Sequence, residues 1–277
     1  MFSRRQNLVI GLTTFNTEML KISVPAVAAV AQRGTTLIIH NDNPNARIRR
    51  RDIRKMGYRG RLNIINSDKS VGLRAARLRI LDAVPRSARW IIYVNDDDVL
   101  TDATIVPTRG TDFAIIQNAA AVIRRISDLM RAGTNPKSIA PDGQNVILVR
   151  PHVGLAGTPV RVDIMRGAAD IMRRVTNDLD AIDAAMEYRP PVDEMMWMAL
   201  CAYAHNLDAD MAPIFMNRMN YVINRIDTDA EKYGRRGVTQ SRAQRFAAAA
   251  MAQYTQIIND AITAQSNANA AAADAAK

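Results

Sequence analysis

The chain contains one cysteine, Cys201. A single thiol excludes an intrachain disulfide and any zinc site built on several thiolates. Aromatic residues make up only 5% of the sequence, so the core has to be assembled from Ala, Val, Ile, Leu and the 14 Met. No uninterrupted apolar run approaches the roughly 20 residues of a membrane helix. The opening stretch, MFSRRQNLVIGLTTFN, turns polar too soon after its short apolar part for a secretory signal. The expectation is a soluble, cytoplasmic protein with no membrane span. Lysine is scarce as well, with 6 Lys beside 31 Arg.

What is present suits a globular chain. The 277 residues are 48% hydrophobic and 23% charged, enough for one large domain or two small ones. The net charge of +10 calls for an anionic partner. The preference for Arg over Lys favours planar, two-pronged contacts to phosphate or carboxylate. Seven arginines fall between Arg47 and Arg61. Such a segment could lie along a phosphate backbone or simply form a solvated basic face. Tyr58 is its only aromatic, and no nucleic-acid-binding motif accompanies it.

Short apolar runs alternate with helical spacing over the first hundred residues. Leu8 to Leu12, Thr36 to His40, Leu62 to Ile65 and Trp90 to Val94 have the character of buried strands. Thr17 to Gln32 and Leu73 to Ala83 have that of helices. The expected fold class is therefore α/β, a mainly parallel sheet flanked by helices, followed by a helical C-terminal region. Polar clusters follow the strands, at the carboxyl ends where ligand crevices form in such sheets. Further along, Ile115 to Met130 is expected to be helical, Val146 to Val149 a strand, and Val162 to Val175 and Asp193 to Tyr203 helices. The boundaries expected are 1–105 for the α/β half, 106–240 for a second half, and 241–277 for an Ala-rich helical extension with a frayed tail.

Three consecutive carboxylates, Asp96, Asp97 and Asp98, follow the fourth strand. Their mutual repulsion calls for a cation or hydrogen-bond donors. Alternation along an extended strand end puts Asp96 and Asp98 on one side, as hard oxygen ligands for Mg²⁺ or Mn²⁺. The other reading is a solvated acidic turn. Asp193 and Glu194 begin a helix just after Pro190 and Pro191, where carboxylates favour the helix dipole. His152, before a loop containing Gly154 and Gly157, is a further candidate ligand or acceptor contact. Trp197 could offer a flat face to a ligand or fill the core.

These residues resemble the nucleotide-binding half of GT-A glycosyltransferases, the family 2 group. The resemblance is carried by LVIGLTTFN with Thr14 and Asn16, by HNDNPN at His40 to Asn45, and by Gly72 followed by Ala76, Arg77 and Leu78. It is completed by IIYVNDDD with Asp96 and Asp98. It covers about a third of the chain, and the sequence departs from the family pattern at Leu78 and Asn95. The resemblance implies a metal-dependent, inverting glycosyltransferase with a nucleotide-sugar donor, most simply a UDP-sugar, and a hydroxyl acceptor in the second half. It implies Thr14, Asp42, Arg77 and Asp96 as nucleotide contacts, Asp96, Asp97 and Asp98 as the Mn²⁺ or Mg²⁺ site, and Glu194 or Asp193 as the base. The acceptor is unidentified, with a polyanion such as modified DNA among the candidates. A metal-dependent nuclease using the same aspartates with Asp102 and Asp112, and a non-catalytic nucleic-acid-binding protein, are the alternatives.

Overall fold

The computed structural model describes residues 7–103, 116–124, 146–151, 154–185, 192–207, 214–225 and 240–275. The chain separates into two compact units, one of residues 1–162 and 213–227, the other of residues 163–212 and 228–277.

The first unit begins with β1 (Leu8–Thr14), α1 (Leu20–Val30), β2 (Thr36–Asn41), α2 (Arg50–Lys55), β3 (Arg61–Asn66), α3 (Gly72–Asp82) and β4 (Trp90–Asn95). It continues with β5 (Val99–Leu100), β6 (Ile116–Arg124), β7 (Val146–Pro151), β8 (Pro159–Arg161) and β9 (Ile214–Arg225). The five-stranded sheet runs β3-β2-β1-β4-β8, parallel except for β8. The expected mainly parallel sheet flanked by helices is thus what the chain forms.

Alternation along β1 explains how both faces are covered. Leu8, Ile10 and Leu12 share one cluster with Leu20, Val24 and Val27 of α1 and Ile53 of α2. Gly11 faces the other way, where an added Cβ would meet Ile80 of α3 at 2.7 Å and Tyr93 of β4 at 3.2 Å. Burial on both faces is the reason β1, β2 and β4 read as apolar runs.

The second sheet runs β5-β9-β6-β7. Here the expectation of a helix over Ile115 to Met130 is corrected, because Ile116–Arg124 is a strand paired with both β7 and β9. Ala119, Ala120 and Ala121 favour a helix locally, but each pairs with residues of both neighbouring strands, and such pairing overrides so weak a preference.

The second unit is helical, with α4 (Val162–Arg174, its first residue in the other unit), α5 (Thr176–Ala185), α6 (Val192–Leu207) and α7 (Gln240–Ala275). Gly167 of α4 lets Tyr203 of α6 approach so closely that a Cβ would lie 2.1 Å from the phenol oxygen. Trp197 is buried, a core position. Burial pushes the Cys201 thiol up to about 12, so it stays protonated at neutral pH. The helix α7 continues through the Ala-rich segment to Ala275, with its last ten residues exposed. Among the described residues no helix is long and apolar enough to cross a membrane.

Candidate functional site

The chain path reverses within the sheet. It runs outward through β1, β2 and β3, then returns to place β4 on the other side of β1. The strand order therefore reverses between β1 and β4, and ligands of open α/β sheets bind beyond the carboxyl ends at such a reversal. The parallel register sets those ends level, with Thr14 beside Asn41 and Thr13 beside Asn95.

Thr14 and Asp96 meet across this switch point. The Thr14 hydroxyl donates to Asp96 Oδ2 at 2.6 Å. Burial holds the Asp96 carboxyl above its ordinary value, against the opposing effect of hydrogen bonds from Thr14 and from the backbone N–H groups of Asn16, Asp96 and Phe15. The Asp42 backbone N–H donates to the Thr14 carbonyl at 2.8 Å, which brings the end of β2 into the same group. Asp42 turns its carboxylate to the start of α3. Oδ1 accepts from Val71 N–H at 2.7 Å, and Oδ2 accepts from the Ser70 hydroxyl at 2.8 Å and Gly72 N–H at 3.0 Å. The residue preceding α3, Val71, has no capping side chain, so Asp42, the residue after β2, supplies the cap.

The three aspartates are not arranged as an extended strand end would arrange them. β4 stops at Asn95 and residues 96–98 form a turn into β5. Asp96 consequently faces Thr14, whereas Asp98 is buried and faces inward. Asp98 Oδ2 accepts from the Tyr221 hydroxyl at 2.7 Å and from Asn95 Nδ2 at 2.9 Å. Asp97 is half-buried between them. Among the described residues, no three or more His, Cys, Asp or Glu side chains converge as a metal cage would.

Arg77 is fully buried beneath the turn. Its Nη2 donates to Asn95 Oδ1 at 3.0 Å, and its guanidinium lies 5.5 Å from the centre of the Tyr93 ring. It therefore belongs to the same network as Asp98, through Asn95.

Tyr221 is the residue that sequence reasoning missed. Burial first, and the nearby Asp98 carboxylate second, hold its phenol well above the ordinary value, so it remains a donor. Its oxygen also accepts from Asn95 N–H at 3.2 Å. Nothing in the strand sequence marks it, since it lies more than a hundred residues from its partners. Phe15 was likewise passed over, although it follows Thr14 directly and is 56% exposed. An unburied aromatic in a chain so poor in them was the available signal.

Asp193 and Glu194 are the second and third residues of α6, in the helical unit. His152 and Asp112 lie outside the described residues. Asp102 is half-buried just after β5, and His205 is exposed in the last turn of α6.

His40 is buried in β2, with Nε2 3.2 Å from Ser67 Oγ, which itself accepts from Arg79 Nη1 at 3.1 Å. Burial is the larger cause holding its pKa below 6.5. Arg79 acts in the same direction and Asp42 in the opposite one. The folded chain thus binds fewer protons here than the unfolded chain. Stability from this group is complete above about pH 6.5 and falls as the pH drops below it, by at most about 1.4 kcal/mol per pH unit. Urea unfolding between pH 5 and 7.5 is expected to show this acid-side loss in the parent and a shallower one in His40→Asn. Parallel profiles would refute it.

Fold and site together define an α/β protein with a cluster of polar side chains at the switch point of its parallel sheet. The chain matches no family model and none of the curated proteins. Among solved structures it is similar to S. aureus TarS. Against residues 1–349 of TarS in complex with UDP, identity is 10%, the match covers 92% of this chain and 70% of that one, and the TM-score is 0.45. For the complex with UDP-GlcNAc the figures are 9%, 79% and 59%, with a TM-score of 0.45. Against a longer TarS chain, identity is 8% and the TM-score 0.46, and the match spans about a third (36%) of that chain's length.

Proposed function

We propose that this protein is a glycosyltransferase that moves a sugar from a nucleotide-sugar donor, a UDP-sugar, to a hydroxyl acceptor. The observation that carries the reading is the meeting of Thr14 and Asp96 at the β1/β4 reversal, with the Asp42 backbone tied to Thr14. Nucleotide binding is the chemistry that polar groups at such a reversal serve best. The choice of a UDP-sugar follows the motif resemblance, and TarS itself forms complexes with UDP and UDP-GlcNAc.

In this reading Phe15 offers an exposed flat face to the base, and Thr14 and Asp42 supply polar contacts to base or ribose. Asp42 has one lone-pair position on Oδ1 beyond those used by the α3 loop. Arg77 acts from beneath by holding Asn95 and so the turn of aspartates.

The donor atoms fit a divalent cation in kind. Asp96 and Asp97 are hard oxygen donors, and a carboxyl raised by burial is one whose charged form a cation stabilises. Mg²⁺ commonly takes only one or two carboxylates and leaves the rest of its sphere to water and substrate phosphates. Asp96 and Asp97 would hold Mn²⁺ or Mg²⁺, and Asp98 would steady the turn through Tyr221 and Asn95. Bound there, the cation would supply positive charge for a departing diphosphate. Glu194, with Asp193 as the alternative, accepts the proton of the attacking hydroxyl, and the displacement inverts the anomeric carbon.

Calorimetric titration of UDP with and without Mn²⁺ tests the proposal. Metal-dependent binding is expected in the parent, weakened at least tenfold, about 1.4 kcal/mol, in Asp96→Asn and Asp97→Asn. Equal affinity in all three proteins, or no UDP binding at all, would defeat it.

A further inference from the structure

A cleft opens at the other end of the same sheet. It has a volume of about 770 Å³, and Asn7, Thr35 and Arg61, which stand at the starts of β1, β2 and β3, help to line it. The nucleotide site proposed above lies at the opposite ends of these strands. Strands of this length separate the two sites by about 20 Å, at roughly 3.3 Å per residue. Both belong to the first unit.

The lining of this cleft is strongly basic. Arg33, Arg54, Arg59 and Arg61 contribute to it, and no acidic residue does. Arg33, Arg59 and Arg61 are exposed, and among the described residues none of the three makes an ion pair. Three exposed guanidiniums around one concavity, with Arg54 beside them, repel one another, an arrangement that an anion relieves. The charge also continues outside the cleft, where Arg47, Arg49 and Lys55 are exposed on the approach to α2 and along it, with Asp52 the only acid between positions 47 and 61.

The cleft is preorganised. Tyr58 is buried beneath it, and its hydroxyl donates toward the carbonyls of Thr35 and Arg61, each at 3.1 Å. Arg54 Nη1 donates to the Tyr58 carbonyl at 2.9 Å. Gly60 is required for this packing, because a Cβ there would lie 2.6 Å from the Tyr58 hydroxyl. The backbone carrying Arg59 and Arg61 is thereby fixed to the first residues of two strands. Less ordering remains to be done when a ligand arrives.

We infer that this cleft binds the phosphodiester backbone of a single-stranded nucleic acid, independently of base sequence. Guanidinium forks match phosphate oxygens, and the basic track from Arg47 to Arg61 extends past what one small anion covers. An isolated strand can follow a concavity of about 770 Å³, whereas a stiff duplex does not bend into one. Tyr58, the one aromatic of the segment, is committed to its two carbonyls, so no ring is offered for base stacking. The ligand is held by its charge.

Fluorescence anisotropy of a labelled 15-residue oligothymidylate, titrated with the full chain between 50 and 200 mM salt, tests the inference. The triple variant Arg33→Ala, Arg59→Ala, Arg61→Ala is expected to bind at least tenfold more weakly at the lowest salt. Its slope of log K against log salt should be smaller by about 2, at about 0.7 for each phosphate that is no longer neutralised. A charge-matched control, Arg86→Ala, Arg173→Ala, Arg174→Ala, should lose less than threefold. Arg59→Glu alone, at an exposed loop position, should weaken binding at least threefold, which keeps the inference testable if the triple variant misfolds. Equal losses in the triple variant and its control would overturn the inference. So would displacement of the oligonucleotide by inorganic triphosphate at the same phosphate concentration, or tighter binding of a duplex of equal length. The assay uses no nucleotide sugar, cation or turnover, so its outcome is separate from that of the UDP titration.

Discussion

Gly157→Ala is expected to destabilise the first unit by about 3–5 kcal/mol, which places it among the most damaging single-methyl additions available to this chain. Gly157 has φ +77°, in the left-handed region. Its N–H donates to the Tyr93 carbonyl at 2.7 Å, which fixes the backbone against β4. A Cβ would lie 2.4 Å from Tyr221 Cγ and 2.7 Å from both Cβ and Cδ2 of that residue. The ring has no easy retreat. It is wholly buried, and its hydroxyl is held by Asp98 and by the Asn95 backbone. Relief of the clash therefore means losing those hydrogen bonds or opening the core. Gly72 provides the comparison, with a similar φ of +81° but nothing within 4 Å of an added Cβ. Gly72→Ala should lose only the backbone contribution, about 1–2 kcal/mol. Urea unfolding of the two variants checks this, and equal losses would show that the contact with Tyr221 is not what makes position 157 intolerant.

Asp42→Ala is expected to lose about 3 kcal/mol. The carboxylate accepts three hydrogen bonds, and charge-assisted bonds contribute about 1.5–3 kcal/mol each without adding fully. With Asp42 only 8% exposed, water replaces them poorly. Asp42→Asn keeps one acceptor oxygen and should lose about half as much. Because the same loop leads into α3, which carries Arg77, the alanine variant should also bind UDP more weakly, whereas the stability loss stands without any ligand. A loss under about 1 kcal/mol by urea unfolding would show that Asp42 does not hold the loop.

The two expectations differ in how far the sequence anticipated them. Asp42 was legible as a residue of interest, because it follows an apolar β-branched run and begins a polar cluster. Its partners were not legible, since Ser70, Val71 and Gly72 reach it only through the pairing of β2 with β3 and the return of the chain into α3. The nearby amides do make the local turns that such a cluster suggests. Asn41 Oδ1 accepts from Asn43 N–H at 3.1 Å, and Asn43 Oδ1 from Asn45 N–H at 2.9 Å. The aspartate between them takes a long-range part instead. Gly157 could be marked only as a flexible point, because the ring it must accommodate comes from β9, which the sequence did not reveal.

Local composition was sufficient for the central sheet. Three of its four parallel strands, β1, β2 and β4, are buried on both faces, and that demand writes an apolar run into the sequence, ended by polar residues at the carboxyl ends, whereas β3, at the sheet edge, exposes Arg61 and Asn63. It was insufficient for the second sheet, where alanines in β6 carry little strand preference and pairing with β7 and β9 decides the outcome.

The sequence by itself determined the class of fold, the order of the first four strands, and the positions at which polar groups must leave the core. Only the tertiary structure decided how those groups divide their work. It turned Asp96 to Thr14 and Asp98 to Tyr221, buried Arg77 under Asn95, and set Asp42 as a cap on α3. The physical reason is one of range. A strand's apolar pattern records burial, which each residue meets where it stands, whereas a hydrogen bond between side chains depends on which distant segment the packing brings within 3 Å.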